Sequence, residues 1–382
     1  MLLLGPNKTV ICMFCPGDRE TAGGIGRLIG NLADELRDRY PEFDIREIDT
    51  RGSGTVLASP LYLAAALMRF LAIRFSSSGC IAHIHMSSHG SAARKFLVFL
   101  SCKLLRVPVV LHLHAAVFER FFASLRPAFR ALLRWMFRSS DRVVVLGNDA
   151  LRFVGETLEV PRGRVNVIPN GVRLPQDQGA APDRLPHIVF LGRLGDRKGV
   201  RELIAALATP HIVHRAWRAT VAGDGDPAIY QKQARDLGIA ERISFPGWLN
   251  GRDVSALLGR ATILALPSRA EGLPMSVLEG LAHKLAVVTT PVGALPDCLV
   301  HAESVLFVRP GDTDHLAAAL HALLADDKLR AKIAAGGFAS FQRNYAMATL
   351  AGRFAFIYRE LASGSRLPAG ARALPRDEAA RS

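Results

Sequence analysis

Two glutamates, Glu271 and Glu279, bracket the run Glu271-Gly272-Leu273-Pro274-Met275-Ser276-Val277-Leu278-Glu279. The strand-like stretch Thr262–Pro267 comes just before them. This order predicts one carboxylate on a loop at a strand's end and the other two turns into the next helix. The helical part separates them by roughly 10 Å. The free backbone N–H groups of the helix start lie between the two. A helix start attracts an anion, and a carboxylate on either side suits a hydroxyl-rich ring. The pattern therefore fits a sugar-nucleotide. An isolated pair with this spacing is ordinarily a solvated loop residue and a plain helix residue, so the neighbouring motifs decide its meaning.

Gly192-Arg193-Leu194-Gly195-Asp196-Arg197-Lys198-Gly199 follows the apolar run His187–Leu191 and precedes a helix over Val200–Leu207. Arginine grips phosphate oxygens through two N–H groups, and lysine adds a point charge. Arg193 and Lys198 are the candidate phosphate ligands. A third element is Gly23-Gly24-Ile25-Gly26-Arg27, between a strand at Val10–Cys15 and a helix at Leu28–Arg37. Glycines there allow positive φ and a close approach of backbone to ligand. The spacing is not the full G-x-G-x-x-G of dinucleotide sites.

The three elements together resemble the GT-B glycosyltransferases, in particular the retaining family 4 group that includes many bacterial polysaccharide enzymes. The resemblance runs from Gly23 to about Leu361. It is carried further by Val110-Leu111-His112-Leu113-His114-Ala115, Val167-Ile168-Pro169-Asn170-Gly171-Val172, Val221-Ala222-Gly223-Asp224-Gly225, Phe245-Pro246-Gly247-Trp248 and Thr290-Pro291-Val292-Gly293. Many relatives carry Asp or Gly where this chain has Ala115, a departure on the acceptor side. The resemblance implies two facing Rossmann-like, doubly wound parallel-sheet domains with a cleft between them. The second domain would bind a nucleotide-sugar donor and the first an acceptor. Arg193 and Lys198 would clamp the diphosphate, Glu279 would take the ribose, and Glu271 would hold the transferred sugar. His114 would reach that sugar from the first domain. Gly23, Gly24 and Gly26 would let the diphosphate or acceptor approach the backbone. Gly272, Leu273 and Pro274 would line the helix start, and Trp248 and Leu249 would hold the base. The nucleotide-sugar is a co-substrate, and no separate cofactor is implied.

Composition bounds this picture. The 382 residues suffice for two domains, and 49% are apolar, enough for large cores. Cys12, Cys15, Cys80, Cys102 and Cys298 form no framework; Cys12 and Cys15 fall inside a strand and read as small core residues. That usage points to a reducing cytoplasm. Met1–Asn7 is too short for a secretory leader, and no apolar run is long enough for a spanning helix. Asp224-Gly225-Asp226 reads as a turn and Asp312-Thr313-Asp314 as a helix cap, so no metal is expected. His83, His85 and His89 show no ligand spacing to acids or cysteines and read as local hydrogen-bonders.

The net charge of +14 is unevenly placed. Between Pro60 and Ser140 eleven Lys and Arg, Lys95 among them, face one acid, Glu119. Over Phe118–Arg138 a helical wheel puts Phe118, Phe121, Phe122, Leu125, Phe129, Leu132, Leu133 and Met136 on one face. Arg120, Arg126, Arg130, Arg134 and Arg138 fall on an adjoining sector, with Pro127 starting a fresh turn. The two readings are a helix against an anionic membrane and arginines that simply face water. A second apolar helix, Pro60–Phe75, adds Arg69 and Arg74.

Short apolar runs near 9–15, 43–48, 80–85, 108–113, 142–146 and 165–168 alternate with helical stretches. The alternation restarts at 187–192, 217–222, 242–246, 262–266, 286–289 and 304–308. Such alternation calls for parallel sheets covered on both faces. The expected divisions are an acceptor domain over 1–173, a linker over 174–186 and a donor domain over 187–345. A helix over 346–362 crosses back to the first domain, and a tail of low order takes 363–382.

The sequence thus reads as a metal-independent retaining hexosyltransferase, cytoplasmic and peripheral at the inner face of the cell membrane. It would move a hexose from GDP-mannose or a UDP-sugar to a lipid-linked or polysaccharide acceptor in exopolysaccharide or cell-envelope glycan synthesis. Three rivals stand beside it: a GT-B sugar-nucleotide epimerase, a catalytically dead GT-B partner, and a basic nucleic-acid-binding protein. The last needs exposed stacking aromatics, whereas the wheel places the aromatics on the apolar face. No nucleic-acid partner is therefore expected.

Overall fold

The computed structural model describes residues 8–17, 23–52, 58–114, 117–175 and 185–364. Strands and helices alternate from the start. The first run is β1 (Thr9–Cys15), α1 (Gly23–Arg39), β2 (Phe43–Asp49), α2 (Ser59–Ser76), β3 (Cys80–Met86), α3 (Gly90–Leu104), β4 (Val109–Leu113), α4 (Phe118–Ser124), α5 (Pro127–Ser139), β5 (Arg142–Val145), α6 (Asn148–Arg152) and β6 (Val165–Val167). The second is β7 (His187–Leu191), α7 (Val200–Leu207), α8 (Pro210–Val213), β8 (Arg218–Ala222), α9 (Ala228–Asp236), β9 (Ile243–Gly247), α10 (Gly251–Arg260), β10 (Ile263–Leu266), α11 (Met275–Ala282), β11 (Ala286–Thr289), α12 (Leu295–Cys298), β12 (Leu306–Phe307), α13 (Thr313–Ala325) and α14 (Asp327–Asn344). A last helix, α15 (Met347–Ala362), follows. The chain forms two compact units. One takes residues up to Gly171 and those from Met347 onward, and the other is Val172–Ala346. Most of the expected linker and tail, 176–184 and 365–382, lies outside the described residues, as does Ala115.

Each unit is built on a six-stranded parallel sheet. Parallel strands with helices on both faces are buried on both sides and carry unbroken apolar runs. Accordingly every residue of β3, β4 and β7 is buried. In the first unit the order is β2-β1-β3-β4-β5-β6, so the chain reverses direction across the sheet between β1 and β3. In the second, read from its β9 edge, it is β9-β8-β7-β10-β11-β12, reversing between β7 and β10. The second order is that of the doubly wound dinucleotide fold, whose ligands sit at the strand carboxyl ends beside the reversal.

Helix α15 packs in the first unit. Arg142 donates to Glu360 at 3.1 Å, and Arg359 pairs with Glu42 at 2.5 Å. Tyr358 and Phe354 of α15 are fully buried against the sheet. Cys12, Cys15, Cys80 and Cys102 are buried and free, and burial pushes the Cys15 thiol up to about 12. They are inert core residues.

Three expectations change. The glycines Gly23, Gly24 and Gly26 do not form a loop before the helix; they are the first turn of α1, and of the three only Gly23 has positive φ, +63°. The amphipathic segment does restart at Pro127, but as a second helix out of phase with the first, because the chain is extended at Leu125 and Arg126. Its phase therefore shifts: Phe118, Phe122, Leu133, Met136 and Phe137 are buried, while Phe129, Leu132 and Trp135 face outward. Lys95 does not belong to the basic surface. Its side chain is wholly buried and donates to Phe14 O, Cys15 O and Thr50 Oγ1 at 2.7–2.9 Å.

Candidate active site

The reversal point of the second unit brings together the loops after β7 and β10. Lys198 Nζ, from the first loop, lies 2.6 Å from Glu271 Oε1, from the second. Both side chains are largely shielded, at 13% and 8% exposure. Arg197 reaches the other carboxylate oxygen of Glu271 at 3.5 Å and donates to Ala270 O at 2.8 Å. One carboxylate is thus held between two cations, and the loops are tied at the backbone as well, where Arg269 N donates to Arg197 O at 2.8 Å.

Glycines permit this closeness. Gly199 has φ +73°, and a Cβ there would stand 2.3 Å from Pro267 O. Gly293 has φ +60°, and a Cβ there would stand 2.2 Å from both Glu271 O and Gly272 O. The neighbouring Ala294 N donates to Gly272 O at 2.8 Å. The Thr290–Gly293 run therefore serves as a backbone clamp on the Glu271-Gly272 turn.

Gly272, Leu273 and Pro274 lead from Glu271 into α11. Pro274 occupies the N-cap position, and no side chain caps this helix. Its first N–H groups and the positive end of its dipole therefore remain available to an anion. Glu279 is half-buried one turn into α11, not two as its spacing suggested. Arg193 is highly exposed and lies 3.9 Å from Asp224. Trp248 and Leu249 follow the edge strand β9, two strands from the reversal, and the Trp248 ring is exposed. The second D-x-D also has a structural role: Asp312 caps α13 by accepting from His315 N at 2.8 Å.

His114, Gly23, Gly24 and Gly26 lie in the first unit. His114 follows β4, and its N–H is held by Met86 O at 2.9 Å. The register pairs His85 with His112 across β3 and β4. Alternation along each strand then places His83, His85, His112 and His114 on one face of the sheet. His85 Nδ1 is 2.9 Å from His114 Nε2, and His83 Nε2 is 3.3 Å from His112 Nδ1. His83 Nδ1 is 2.6 Å from the Tyr358 hydroxyl, and Phe354 lies against the His83 and His112 rings. Burial lowers all four histidines, His83 and His114 to about 3, so the rings are neutral at ordinary pH.

His83 and His85 have no acid or cysteine in their cluster, as their spacing suggested, but the fold adds a histidine the sequence did not tie to them. One ring nitrogen from each of His83, His85 and His112 lies within 4.8 Å of the others, close enough for one ion to bridge. Three neutral imidazoles can hold a divalent ion, but here His83 spends both ring nitrogens on Tyr358 and His112, and His85 spends Nδ1 on His114. The cluster has no carboxylate or thiolate, and the charge of Lys95 acts on His85. Two positive charges would stand uncompensated in a low-dielectric core. The hydrogen-bonded reading of the histidines remains.

Sequence reasoning missed Arg197 as a partner of Glu271, and it missed His83, His85 and His112 behind His114. Two H-x-H patterns on adjacent apolar strands were the available signal for the histidines.

Two six-stranded parallel sheets in separate units, the second wound as a dinucleotide-binding sheet, are the architecture of the GT-B fold. The fold aligns with Anabaena HepE in complex with UDP-glucose at a TM-score of 0.70 and 17% identity, over 92% of this chain and 99% of that one. The Glycosyltransferase Family 4 model matches residues 22–176, and the Glycosyl transferases group 1 model matches residues 185–326. The chain belongs to this family. It is 27% identical to glycogen synthase of Mycobacterium tuberculosis over 270 residues, which is 69% of this chain and 65% of the synthase. It is 27% identical to phosphatidyl-myo-inositol mannosyltransferase of Mycobacterium leprae, over 94% of this chain and 98% of that protein.

Proposed function

We propose that the protein is a retaining hexosyltransferase. It moves a hexose from GDP-mannose or a UDP-sugar to a lipid-linked or polysaccharide acceptor in exopolysaccharide or cell-envelope glycan synthesis. The observation that carries this reading is the Lys198–Glu271 contact beside the uncapped start of α11. An arriving diphosphate takes Lys198, with Arg193 and the helix N–H groups, and frees Glu271 for sugar hydroxyls; Glu279 accepts from the ribose. In the transfer step the bond from C1 to the phosphate oxygen breaks and the bond from C1 to the acceptor oxygen forms on the same face. The acceptor proton passes to the departing phosphate. That phosphate gains charge as it leaves, so the cations and helix dipole stabilise the transition state more than the ground state. These groups supply the role a metal would play, and the site uses none. The mannosyl relative and the UDP-glucose complex support a nucleotide-sugar donor.

The reading places the protein peripherally at the inner face of the cell membrane. Among the described residues no helix is long and apolar enough to cross a membrane. The support for surface contact is the exposure of Phe129 and Trp135 of α5 and of Arg120 and Arg126. Arg134 and Arg138 are engaged elsewhere, on Thr157 O at 3.1 Å and Glu159 at 2.8 Å, and serve the fold.

Slow donor hydrolysis tests the mechanism without knowledge of the acceptor. Followed by proton NMR, the first hexose released should keep the anomeric configuration it had in the donor. Release of the opposite anomer before mutarotation would overturn the retaining assignment.

A further inference from the structure

We infer that helices α2, α3 and α5 of the first unit form one lipid-docking face, whose occupant is an anionic bilayer. The inference rests on the peripheral-membrane part of the proposed function and gives it a surface.

A helix that covers a sheet is ordinarily apolar toward the sheet and polar toward water. These three are apolar on both sides. Their inner sides share one core, where Phe70 of α2, Phe99 of α3 and Met136 of α5 are buried in the same cluster. Their outer sides carry a second apolar set. On α2, Leu61, Met68 and Phe75 recur every seven residues, so they fall in one line along the helix, and each is 67–78% exposed. On α3, Leu97, Leu100 and Leu104 follow the same helical spacing on the exposed side, and on α5 so do Phe129 and Leu132. Among the described residues, every exposed large apolar side chain of the first unit lies on one of these three helices. The helices touch in turn, α2 with α3 and α3 with α5. Trp135 of α5 also meets Phe99 of α3 at a ring distance of 5.2 Å. The apolar lines are therefore neighbours on one surface, of a kind that marks an interaction site.

Charge selects the occupant. None of the three helices contains Asp or Glu. Arg69 follows Met68, Arg74 precedes Phe75, Lys103 precedes Leu104, and the exposed Arg106 comes just after α3. Long cationic side chains beside an apolar line reach headgroup phosphates while the line enters the acyl boundary. A second copy of the chain would bring the same positive face and oppose like charge with like. Nucleic acid would meet leucines and a methionine, which give bases no stacking platform. An anionic bilayer satisfies both the apolar lines and the cations. Phe75 and Leu104 lie at the C-terminal ends of α2 and α3, where the chain turns back into the amino ends of the next strands. Docking there leaves the carboxyl edge of the first sheet open.

The test is sedimentation with vesicles of phosphatidylcholine, with and without phosphatidylglycerol, joined to hydrogen exchange of the wild-type protein bound to them. Wild type should bind the anionic vesicles far better than the neutral ones. The vesicles should slow exchange in peptides covering 61–75 and 97–106. A variant combining Met68→Gln, Phe75→Gln, Leu100→Gln and Leu104→Gln should bind at least about a hundredfold more weakly, since each apolar side chain taken from water is worth about tenfold. A variant combining Arg69→Gln, Arg74→Gln, Lys103→Gln and Arg106→Gln should bind at least about fiftyfold more weakly at low salt and show a flatter salt dependence. Affinity for free nucleoside diphosphate should be unchanged in both, because these side chains lie outside the donor unit. Slowed exchange confined to 118–138, with both variants pelleting like wild type, overturns this face and leaves the membrane reading standing. Wild type that stays in the supernatant with every vesicle composition overturns both. Self-association or RNA binding that the apolar variant abolishes, without vesicle binding, gives the face to another occupant and overturns the inference. The exchange measurement on wild type needs no variant to fold.

Discussion

Lys198→Ala is the perturbation with the largest expected consequence, and the geometry gives its size. At 2.6 Å and an effective dielectric of about 20, the attraction between Lys198 and Glu271 is about 6 kcal/mol before desolvation is subtracted. Removing one partner of a shielded pair typically costs about 3–5 kcal/mol because the other charge is stranded. Here Arg197 remains 3.5 Å from Glu271, half-exposed, and offsets part of that cost. The net loss of stability should therefore be about 1–3 kcal/mol. A unit of this size loses about 2–4 °C in Tm per kcal/mol. Catalysis should suffer separately: loss of one charge-stabilising donor lowers kcat/KM by about 10² or more. A double-mutant cycle with Glu271→Gln, read by denaturant unfolding, isolates the pair. The double mutant should be less damaged than the sum of the single mutants by at least about 1 kcal/mol. Strict additivity together with wild-type turnover in Lys198→Ala would remove both residues from the site.

Four further outcomes are expected. Glu279→Gln should weaken free nucleoside diphosphate, whereas Glu271→Gln should reduce transfer and leave that affinity nearly intact; equal losses in calorimetry would contradict the division of roles. Donor turnover should persist in excess EDTA, and abolition by chelator with rescue by Mg²⁺ or Mn²⁺ would contradict a site run by cations and a helix dipole. Changing Arg120 and Arg126 together to Gln should weaken binding to anionic vesicles by about 2 kcal/mol at low salt and less at high salt. Undiminished sedimentation with vesicles, or binding to RNA instead, would count against the membrane reading. Burial lowers the Lys95 amine to about 7, below its unfolded value near 10.5, so between those limits the unfolded chain holds more protons than the folded one. Stability from this group is full above the unfolded value and is lost as pH falls through about 7. Lys95→Met should remove that slope, which the charges of Arg94 and Asp49 modulate; an unchanged slope in paired unfolding curves would refute it.

The strands were legible because sheets buried on both faces demand apolar runs, and those runs stand out between helices. The loop chemistry at Arg193–Gly199 and Glu271–Pro274 was legible because charged residues and glycines concentrate where strands end. What escaped was set by tertiary partners. Nothing local announces that Arg197 shares Glu271 with Lys198, since the two loops are joined only by the strand order. Lys95 looked like surface charge because its three acceptors, on Phe14, Cys15 and Thr50, are far away in sequence. The wheel over Phe118–Arg138 assumed unbroken phase, and the extended residues at Leu125 and Arg126 reset it. The histidine cluster depends on the β3–β4 register, which neither strand reveals alone.

The central claim is that the carboxyl edge of the second sheet, between β7 and β10, holds a nucleoside-diphosphate sugar. Thermal unfolding against a panel of UDP-, GDP-, ADP- and TDP-sugars tests it most directly, with wild type and Lys198→Ala side by side. A true donor at a hundred times its Kd should stabilise wild type by about 2.7 kcal/mol, or about 5–10 °C. The same concentration should stabilise Lys198→Ala far less. No stabilisation of wild type by any member of the panel at millimolar concentration, or equal stabilisation of both proteins, would contradict the claim.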